Sequence, residues 1–474
     1  MLRASAAVER VGVPTVSIIS TGFLKQAAVV SKGLGLPDIP IAEFPGVPMT
    51  YSTEELRRQV SDVLLPRVIA GLSGALSDSS KGAQVVAEPA PRDIVFAGDF
   101  DAVQEYFHAR SWSDGMPVVP PTIDRVERFL RFTDRKPSEV LGVLPPANRQ
   151  ATVWSVAVNG VMAGCRPEYM PVLIAAVEAV ADPTYKVEDA GSTPGWESLI
   201  VLNGPIIKQL GFNHGQGVMR VGRQSNTSVG RFLRMLLRNI AGFTHAPEGA
   251  DKGSIAQSFL VALPEDEDSV AEIGWQPYSV DRGFAAGDNV VTVQSVVAIS
   301  APAYSQSEKP EEHAALLADV IGEKTCSYWS AVGMCYANWH PLIMLGPSIA
   351  KVFAREGWSK DDLRKYMYEN VKVKASQAER YAYGVGLTGF RVTDAVKDGL
   401  LPPAYHESDD PDRLVPVFQY PEWIGIVVAG DWGRNQSKGY VSNHIQGPPV
   451  SRRVVLPKDW DTLLAREKER TAVK

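Results

Sequence analysis

The first 75 residues alternate helical and extended patterns in the order α-β-α-β-α, and this order constrains the fold more than any other feature of the chain. The extended stretches, Pro14–Ser20 and Ile39–Phe44, are short and apolar, as the strands of a buried parallel sheet are. Ser52 and Glu55 have the spacing of a capping box that opens the last helix. The alternation predicts a parallel sheet covered by helices, with ligands at the carboxyl ends of its strands.

A stretch rich in Ser, Gly, Ala and Pro follows from Ser73 to Pro91 and indicates a domain boundary. We therefore predict a small unit over residues 1–75, a linker over 76–92 and a larger unit over 93–474. The fold class is α/β: a small parallel-sheet unit that resembles half of a Rossmann fold, followed by a larger mixed α/β domain, of one or two lobes, for ligand binding or catalysis.

Composition narrows the class of protein. The 474 residues are 45% hydrophobic and 22% charged with a net charge of -6, which disfavours a disordered chain and a nucleic-acid-binding protein. The three cysteines are too few for a disulfide framework, so we expect a reducing cytoplasm. Glu9 and Arg10 interrupt the apolar core that a signal peptide needs, and prolines interrupt the uncharged run Thr325–Ala350, so we expect neither secretion nor a membrane span.

Cys165 lies in the stretch Thr152–Ala181, in which Val153–Val158 has the composition of a buried strand and Pro167 begins a helical pattern. A thiol just before a helix faces unpaired N–H groups and the positive end of the helix dipole, and Arg166 adds a positive charge. These conditions favour the thiolate, which makes Cys165 a candidate nucleophile or redox group. The alternative is a small cysteine buried in the core.

The stretch Phe212–Gly242 combines a glycine-rich loop with an amphipathic helix. Arg220, Arg223 and Arg231 surround the predicted helix start. The residues that can cap this helix are Asn226, Thr227 and Ser228. Arginines and free N–H groups at a helix N-terminus make a site for a carboxylate or phosphate. The alternative is a structural glycine turn whose arginines pair with surface carboxylates.

A second polar loop follows the apolar stretch Ile424–Ala429. Its directional polar residues are Asp431, Arg434, Asn435 and Gln436, with His444 and Gln446 further on. So many polar side chains directly after a buried strand predict a ligand site. Asn203, at the end of the predicted strand Glu197–Asn203, and Asn213, in the glycine-rich loop, are further candidates for binding the substrate.

Motifs for other kinds of chemistry are missing from the sequence. No two histidines have the spacing of a metal site, and neither H-E-x-x-H nor G-x-S-x-G occurs, so we expect no dedicated metal site and no hydrolase elbow. No pattern indicates a particular cofactor, so whether the protein uses one stays unknown. Thiol chemistry remains, with Cys165 as the reactive group and His214 or His444 as the general base; His340 is a weaker candidate for the base.

Several phrases in the chain carry a resemblance to a known family. They are GVPTVSIISTGF in the first unit, and SDGMPVVPPT, NGVMAGCRPEYMPVLIAAV, LNGPI, GRFLRMLLRNIAG and GWSKDDLR in the second. Over most of its length the chain resembles the long, two-part members of the UGSC (seleno)protein family. The short members carry selenocysteine or cysteine followed by Gly-Ser-Cys just before the first helix, and the first unit is distantly similar to selenoprotein B subunits of the glycine-reductase type. The resemblance implies redox or carbon–heteroatom bond chemistry on small molecules.

The chain departs from this family over Met1–Ala6, which reads MLRASA and contains neither selenocysteine nor cysteine. No strand pattern precedes this segment. We therefore expect either that the active centre lies around Cys165 or that a partner chain completes the sheet, because a parallel sheet without its leading strand has an open edge.

Two functions follow from these features. The first is a cytoplasmic enzyme that acts on a small anionic organic molecule by thiol-dependent redox or lyase-type chemistry. The second is a non-catalytic or half-site subunit that binds a ligand and supports a partner enzyme. The expected partners are the small anionic ligand and either further copies of the chain or a sheet-completing subunit, with no nucleic acid and no membrane.

Overall fold

The computed structural model describes residues 2–74, 90–190, 195–244, 259–326, 339–385 and 391–472. The linker predicted over residues 76–92 lies mostly outside these ranges, so the predicted domain boundaries stay predictions. The third cysteine, Cys335, also lies outside the described residues.

Residues 2–74 follow the predicted order α-β-α-β-α. The helices are α1 (Leu2–Glu9), α2 (Leu24–Gly33), α3 (Thr53–Gln59) and α4 (Leu65–Ser73), and the strands are β1 (Ser17–Ser20) and β2 (Ile41–Phe44). A π-helical turn over Val60–Leu64 joins α3 and α4, which together form the last predicted helix. The two strands are parallel, with Ser17 opposite Ile41. The predicted capping box is present, because the Ser52 hydroxyl accepts the Glu55 N–H and the Glu55 carboxylate accepts the Ser52 N–H. The small α/β unit is therefore confirmed.

Gly33 allows close contact between this unit and the larger unit. The Asn148 side-chain amide donates to the Gly33 carbonyl at 2.7 Å, and a Cβ added to Gly33 would lie 2.3 Å from the Pro146 carbonyl oxygen. A side chain at position 33 would therefore push the backbones apart. Arg3 also pairs with Asp189 at 3.3 Å.

The larger unit is mixed α/β, as predicted. Its helices are α5 (Phe100–Ala109), α6 (Ile123–Leu130), α7 (Val153–Met162), α8 (Met170–Val180), α9 (Ile206–Gln209), α10 (Gln224–Leu236), α11 (Glu267–Glu272), α12 (Tyr278–Asp281), α13 (Pro310–Leu317), α14 (Pro347–Arg355), α15 (Lys360–Asn370), α16 (Ala375–Val385), α17 (Val392–Lys397) and α18 (Trp460–Thr471). Its strands are β3 (Val140–Leu144), β4 (Arg149–Thr152), β5 (Glu197–Asn203), β6 (Leu263–Pro264), β7 (Val290–Val296), β8 (Ala298–Ile299), β9 (Ala303–Tyr304), β10 (Leu342–Leu345), β11 (Lys372–Lys374), β12 (Leu414–Pro416), β13 (Gly425–Val428), β14 (Gln436–Val441) and β15 (Val450–Arg453).

Two mixed sheets form the centre of the larger unit. One has the strand order β15-β7-β5-β6, and the other has the order β13-β10-β14-β8, with β9 also paired to β14. Strands β5 and β6 are parallel, and so are β10 and β13. The edges of the two sheets meet where the Asp266 N–H donates to the Val428 carbonyl at 2.8 Å. The carboxyl ends of β6 and β13 therefore lie side by side.

The main core contains α7, α8 and α10 beside these sheets. Helix α8 is buried along nearly its whole length, since ten of its eleven residues are shielded from solvent. The strand predicted over Val153–Val158 is wrong, because these residues begin α7. A capping box explains the difference: the Ser155 N–H donates to Thr152 Oγ1 at 3.1 Å, and the Thr152 N–H donates to Ser155 Oγ at 2.9 Å. This cap and the packing outweigh the β-branched composition.

None of the helices in the described part of the chain is long and apolar enough to cross a membrane.

Candidate functional site

A cleft opens where the carboxyl ends of β5, β6 and β13 converge. It consists of two adjoining cavities of about 370 and 460 Å³ that share His214, Asp266 and Asp268. Gly204, just after β5, borders one cavity, and Gly430, two residues after β13, borders the other. We call the two cavities together the His214 cleft. Its position is the one at which sheets with parallel strands bind ligands.

His214 and Asp266 form the chemically distinctive pair of this cleft. His214 Nδ1 lies 3.3 Å from Asp266 Oδ1, and the Ser269 hydroxyl donates to the other carboxylate oxygen. The interaction with Asp266 raises the pKa of His214 above its ordinary value. Burial opposes ionisation of Asp266, but the nearby His214 ring and the Ser269 hydroxyl outweigh it and keep the pKa of this carboxyl below its ordinary value. The pair can therefore hold or transfer a proton.

The loop that carries His214 is fixed by Asn226 on α10. The Asn226 carboxamide oxygen accepts the Asn213 N–H at 2.9 Å, and its amide group donates to the Asn213 carbonyl at 2.8 Å. Across the cleft, the Gly430 N–H donates to the His214 carbonyl at 2.9 Å. Asn226 is fully buried and positions the loop, and its predicted contact with a substrate stays a prediction.

Glu265 and Asn203 form the floor beneath this pair. Both side chains are buried, and the Asn203 amide donates to Glu265 Oε2 at 2.6 Å and to Glu267 Oε1 at 2.9 Å. Glu265 Oε2 also accepts the Tyr278 N–H at 2.6 Å, and Oε1 accepts the Val428 N–H at 3.1 Å. Burial raises the pKa of Glu265. Asn203 thus supports the wall of the cleft, and the predicted contact between its side chain and a substrate stays a prediction.

The cleft carries more negative than positive charge. Its acidic lining residues are Glu265, Asp266, Glu267, Asp268, Glu272 and Asp431. The lining also contains a lysine, Lys208, which pairs with Asp268 at 2.6 Å. Such a surplus of carboxylates favours a neutral or cationic ligand. This sign is opposite to that of the anionic ligand expected from the sequence.

The three arginines predicted to hold that anion do not converge. Arg231 forms a bidentate pair with Asp114, with Nε–Oδ2 and Nη2–Oδ1 distances of 2.9 and 2.7 Å. Arg223 Nε donates to the Gly211 carbonyl at 2.8 Å, and Arg220 is exposed. Helix α10 begins at Gln224, earlier than the predicted caps, and no side chain caps it. The arrangement is that of the alternative, a structural turn with paired arginines, although the pairing carboxylate Asp114 is buried rather than on the surface.

Cys165 lies outside the His214 cleft, between α7 and the 3₁₀ turn Pro167–Tyr169 that leads into α8. Its Sγ donates to the Ser228 carbonyl at 3.2 Å. Burial raises the pKa of Cys165 to about 12, in the direction opposite to the lowered pKa expected from the helix dipole and Arg166. The thiol borders a different cavity, of about 250 Å³, and is 9% exposed.

We expect Cys165 to react slowly with iodoacetamide at neutral pH. A buried thiol with a raised pKa has very little thiolate, so its alkylation should be at least about a hundredfold slower in the folded protein than in the urea-unfolded chain. Peptide mass spectrometry after timed quenching measures this ratio. Equal rates for the two states would restore Cys165 as a reactive group.

The remaining predicted residues divide between the cleft and the core. Asp431 lines the cleft, while the Asn435 carboxamide oxygen accepts the Ser348 hydroxyl at 2.9 Å. Arg434 is exposed, with Nε 3.9 Å from the Asp431 carboxylate. Gln436 and His444, predicted from the same polar loop, do not line the cleft. Gln436 begins β14, and His444 is buried against Trp339. Burial lowers the pKa of His444 to about 4 and that of His340 to about 3, so both imidazoles are neutral at physiological pH.

The sequence reasoning missed Glu265 and Asp266. Both belong to the run LPEDED at Leu263–Asp268, which combines a short strand with four consecutive acids. A run of acids directly after an apolar segment was the sequence signal that could have indicated a site here. Within the described ranges, no group of three or more His, Cys, Asp and Glu side chains is arranged to hold a metal ion.

Comparison with known proteins gives a match at the N-terminus of the chain. No curated protein and no solved structure matches the chain. The model of the UGSC family matches residues 1–74, the segment that contains β1 and β2. The N-terminal unit of this chain is therefore similar to the UGSC family.

Proposed function

We propose that the protein is an enzyme that acts on a small polar molecule by acid–base chemistry, with His214 as the proton-transferring group. The observation that carries this proposal is the 3.3 Å contact between His214 Nδ1 and Asp266 Oδ1 at the junction of the two cavities. With Nδ1 turned toward Asp266, the other ring nitrogen, Nε2, exchanges the proton with the substrate. Asp266 orients the ring and stabilises the imidazolium that forms.

The charge of the cleft narrows the substrate to a neutral or cationic molecule. Cleavage or isomerisation that begins with removal of a proton suits a histidine whose pKa is raised. Thus the lyase-type half of the sequence-based expectation is retained. Thiol-dependent redox chemistry loses support, because Cys165 is buried outside the lining of the His214 cleft and its pKa is raised.

The competing function, a subunit that supports a partner enzyme, also has an observation in its favour. Helix α4 exposes Leu65, Ile69 and Leu72, which are spaced along one side of the helix, and a partner or a second copy could cover them. A cytoplasmic location remains part of the proposal. It is supported by Cys165 and Cys326, which are both free thiols.

Metabolite profiling tests the enzymatic proposal. The purified chain is incubated with a pool of small metabolites, and mass spectrometry follows which compounds are consumed. We expect His214→Asn to slow consumption by about 10²–10⁴-fold, the usual contribution of a general acid or base. Cys165→Ala is the control and should retain the wild-type rate.

Two results would argue against this assignment. Wild-type consumption by the His214 variant would remove the acid–base role, and loss of consumption in the Cys165 variant would return the chemistry to the thiol. Consumption that requires an added protein fraction would favour the subunit function instead.

A further inference from the structure

Another cavity, of about 670 Å³, lies between the segment Ala90–Val95 and α7. It is larger than either half of the His214 cleft and shares no lining residue with it. Its apolar lining includes Phe107, Trp112, Trp154, Val158, Met162 and Ile240. The volume and the aromatic walls are those of a site for a small organic ligand.

One face of α7 supplies much of this wall. Trp154, Val158 and Met162 follow one another at four-residue spacing, and Ser155 and Asn159 form the neighbouring row. The helix therefore presents an apolar row and a polar row to the same cavity.

The polar side of the cavity contains an unused acceptor. The Asn239 amide donates to Asn159 Oδ1 at 2.8 Å and lies 3.3 Å from the Trp112 carbonyl oxygen. Asn239 Oδ1 is buried and accepts no hydrogen bond. An acceptor in this state costs free energy unless a donor reaches it, and a ligand hydroxyl or N–H group supplies such a donor.

The charged lining residues favour an anionic group on the same ligand. Among the described lining residues, Arg92 and Arg149 are cationic and Asp93 carries a carboxylate, and Arg92 also pairs with Glu127 at 2.7 Å. The Arg92 guanidinium lies 5.2 Å from the centre of the Trp154 ring, which places a cation beside an aromatic wall. Arg149 Nη1 donates to the Asn239 carbonyl at 3.1 Å, so this second cation lies beside the residue with the unused acceptor.

The backbone around this cavity is held in an unfavourable conformation. In the described part of the chain, four residues other than glycine have positive φ, and Arg92 is one of them, with φ of 79°. Two more directly precede lining residues: Ser111, with φ of 55°, precedes Trp112, and Asn148, with φ of 52°, precedes Arg149. Such residues cluster at ligand sites.

We propose that this cavity binds a small aromatic carboxylate that carries a hydrogen-bond donor on its ring. The ring packs against Trp112 and Trp154, the carboxylate lies near Arg92 and Arg149, and the ring donor bonds to Asn239 Oδ1. This binding is independent of the proton transfer proposed for His214.

Calorimetric titration of the full-length protein with three related probes tests this site. Para-hydroxyphenylacetate carries both the carboxylate and the ring donor, phenylacetate lacks the donor, and tyrosol lacks the carboxylate. We expect para-hydroxyphenylacetate to bind at least about tenfold more tightly than either of the others, since each lost contact costs about that factor.

Two variants identify the contacts. Arg92→Gln should weaken para-hydroxyphenylacetate at least about tenfold and leave tyrosol unchanged, whereas Arg131→Gln, an exposed arginine that does not line the cavity, should change neither. Asn239→Leu should abolish the preference for the hydroxylated acid over phenylacetate. His214→Asn should not alter binding, which separates this proposal from the enzymatic one.

The proposal is overturned if the wild type binds none of the three probes at millimolar concentration. It is also overturned if Arg131→Gln weakens binding as much as Arg92→Gln does. If Asn239→Leu fails to fold, the Arg92 comparison decides alone, because the Arg92 side chain is 56% exposed and its replacement leaves the core intact.

Discussion

Replacing Asp114 with alanine is expected to lower the free energy of unfolding by about 3–5 kcal/mol, because it leaves a largely buried guanidinium without its partner. The side chains of Asp114 and Arg231 are only 1% and 13% exposed. Burial opposes ionisation of Asp114, but the bonds and charge of Arg231 outweigh it and lower the pKa of this carboxyl. Urea unfolding followed by circular dichroism measures the loss.

Two control variants distinguish the buried Asp114–Arg231 pair from an ordinary ion pair on the surface. The double variant Asp114→Ala/Arg231→Leu should recover much of the lost stability, because it removes the unpaired charge as well. Asp394→Ala, in the exposed pair with Lys397, should leave the urea midpoint nearly unchanged. If Asp114→Ala behaved like Asp394→Ala, Arg231 would be free to bind an anion after all.

Glu265→Leu should destabilise the larger unit by about 3 kcal/mol or more, because it removes the acceptor of two buried backbone N–H groups and one of the two acceptors of a buried amide, at about 1–3 kcal/mol each. These donors are the Asn203 amide and the backbone N–H groups of Tyr278 and Val428. The carboxylate accepts the Val428 N–H as a neighbouring strand carbonyl would, so it joins the edges of the two sheets. The Lys360 ammonium, 3.9 Å away, would also lose a counterion.

Glu265→Gln is the matched control. Its carbonyl can still accept from Asn203 and Tyr278, while its amide group would face the Val428 N–H, so we expect a smaller loss than for leucine. The measurement is again the urea midpoint, together with hydrogen exchange at Val428. Unchanged exchange at Val428 in Glu265→Leu would mean that this carboxylate does not hold the sheets together.

Local sequence patterns were sufficient for the small unit and for two of the helix caps. Ser52 with Glu55, and Ser359 before α15, could be predicted because each cap depends on residues three positions apart. The segment Val153–Val158 could not be assigned correctly from its composition. Its β-branched residues favour a strand, whereas the Thr152–Ser155 cap and the buried surroundings make it a helix.

The candidate site could be predicted only in part. The rule for strand ends pointed to Asn203 and to the loop after Val428. The loop borders the cleft, whereas Asn203 is buried beside Gly204, which does line it. Arg231 pairs with Asp114, and His214 lies beside Asp266. Both carboxylates are distant in the sequence from their partners, so no local pattern could reveal these two contacts. The burial of Cys165 likewise depends on α10, which follows it by some sixty residues.

The His214–Asp266 pair also predicts a pH dependence of stability. A histidine whose pKa is raised in the folded state stabilises the protein below its unfolded pKa, and this contribution is lost as the pH rises through the folded value. The lowered pKa of Asp266 contributes stability above its unfolded pKa, which is lost as the pH falls. The pair is therefore most stabilising between the unfolded-state pKa of Asp266 and the unfolded-state pKa of His214. Asp266→Asn should remove this dependence of stability on pH.

The direct test of the account is an NMR titration of the His214 ring proton in the wild type and in Asp266→Asn. We expect the wild-type pKa to lie above the ordinary histidine value and to fall in the variant, because the carboxylate that stabilises the imidazolium is gone. A wild-type pKa at or below the ordinary value, or one unchanged by Asp266→Asn, would contradict the assignment of these two residues as the acid–base centre.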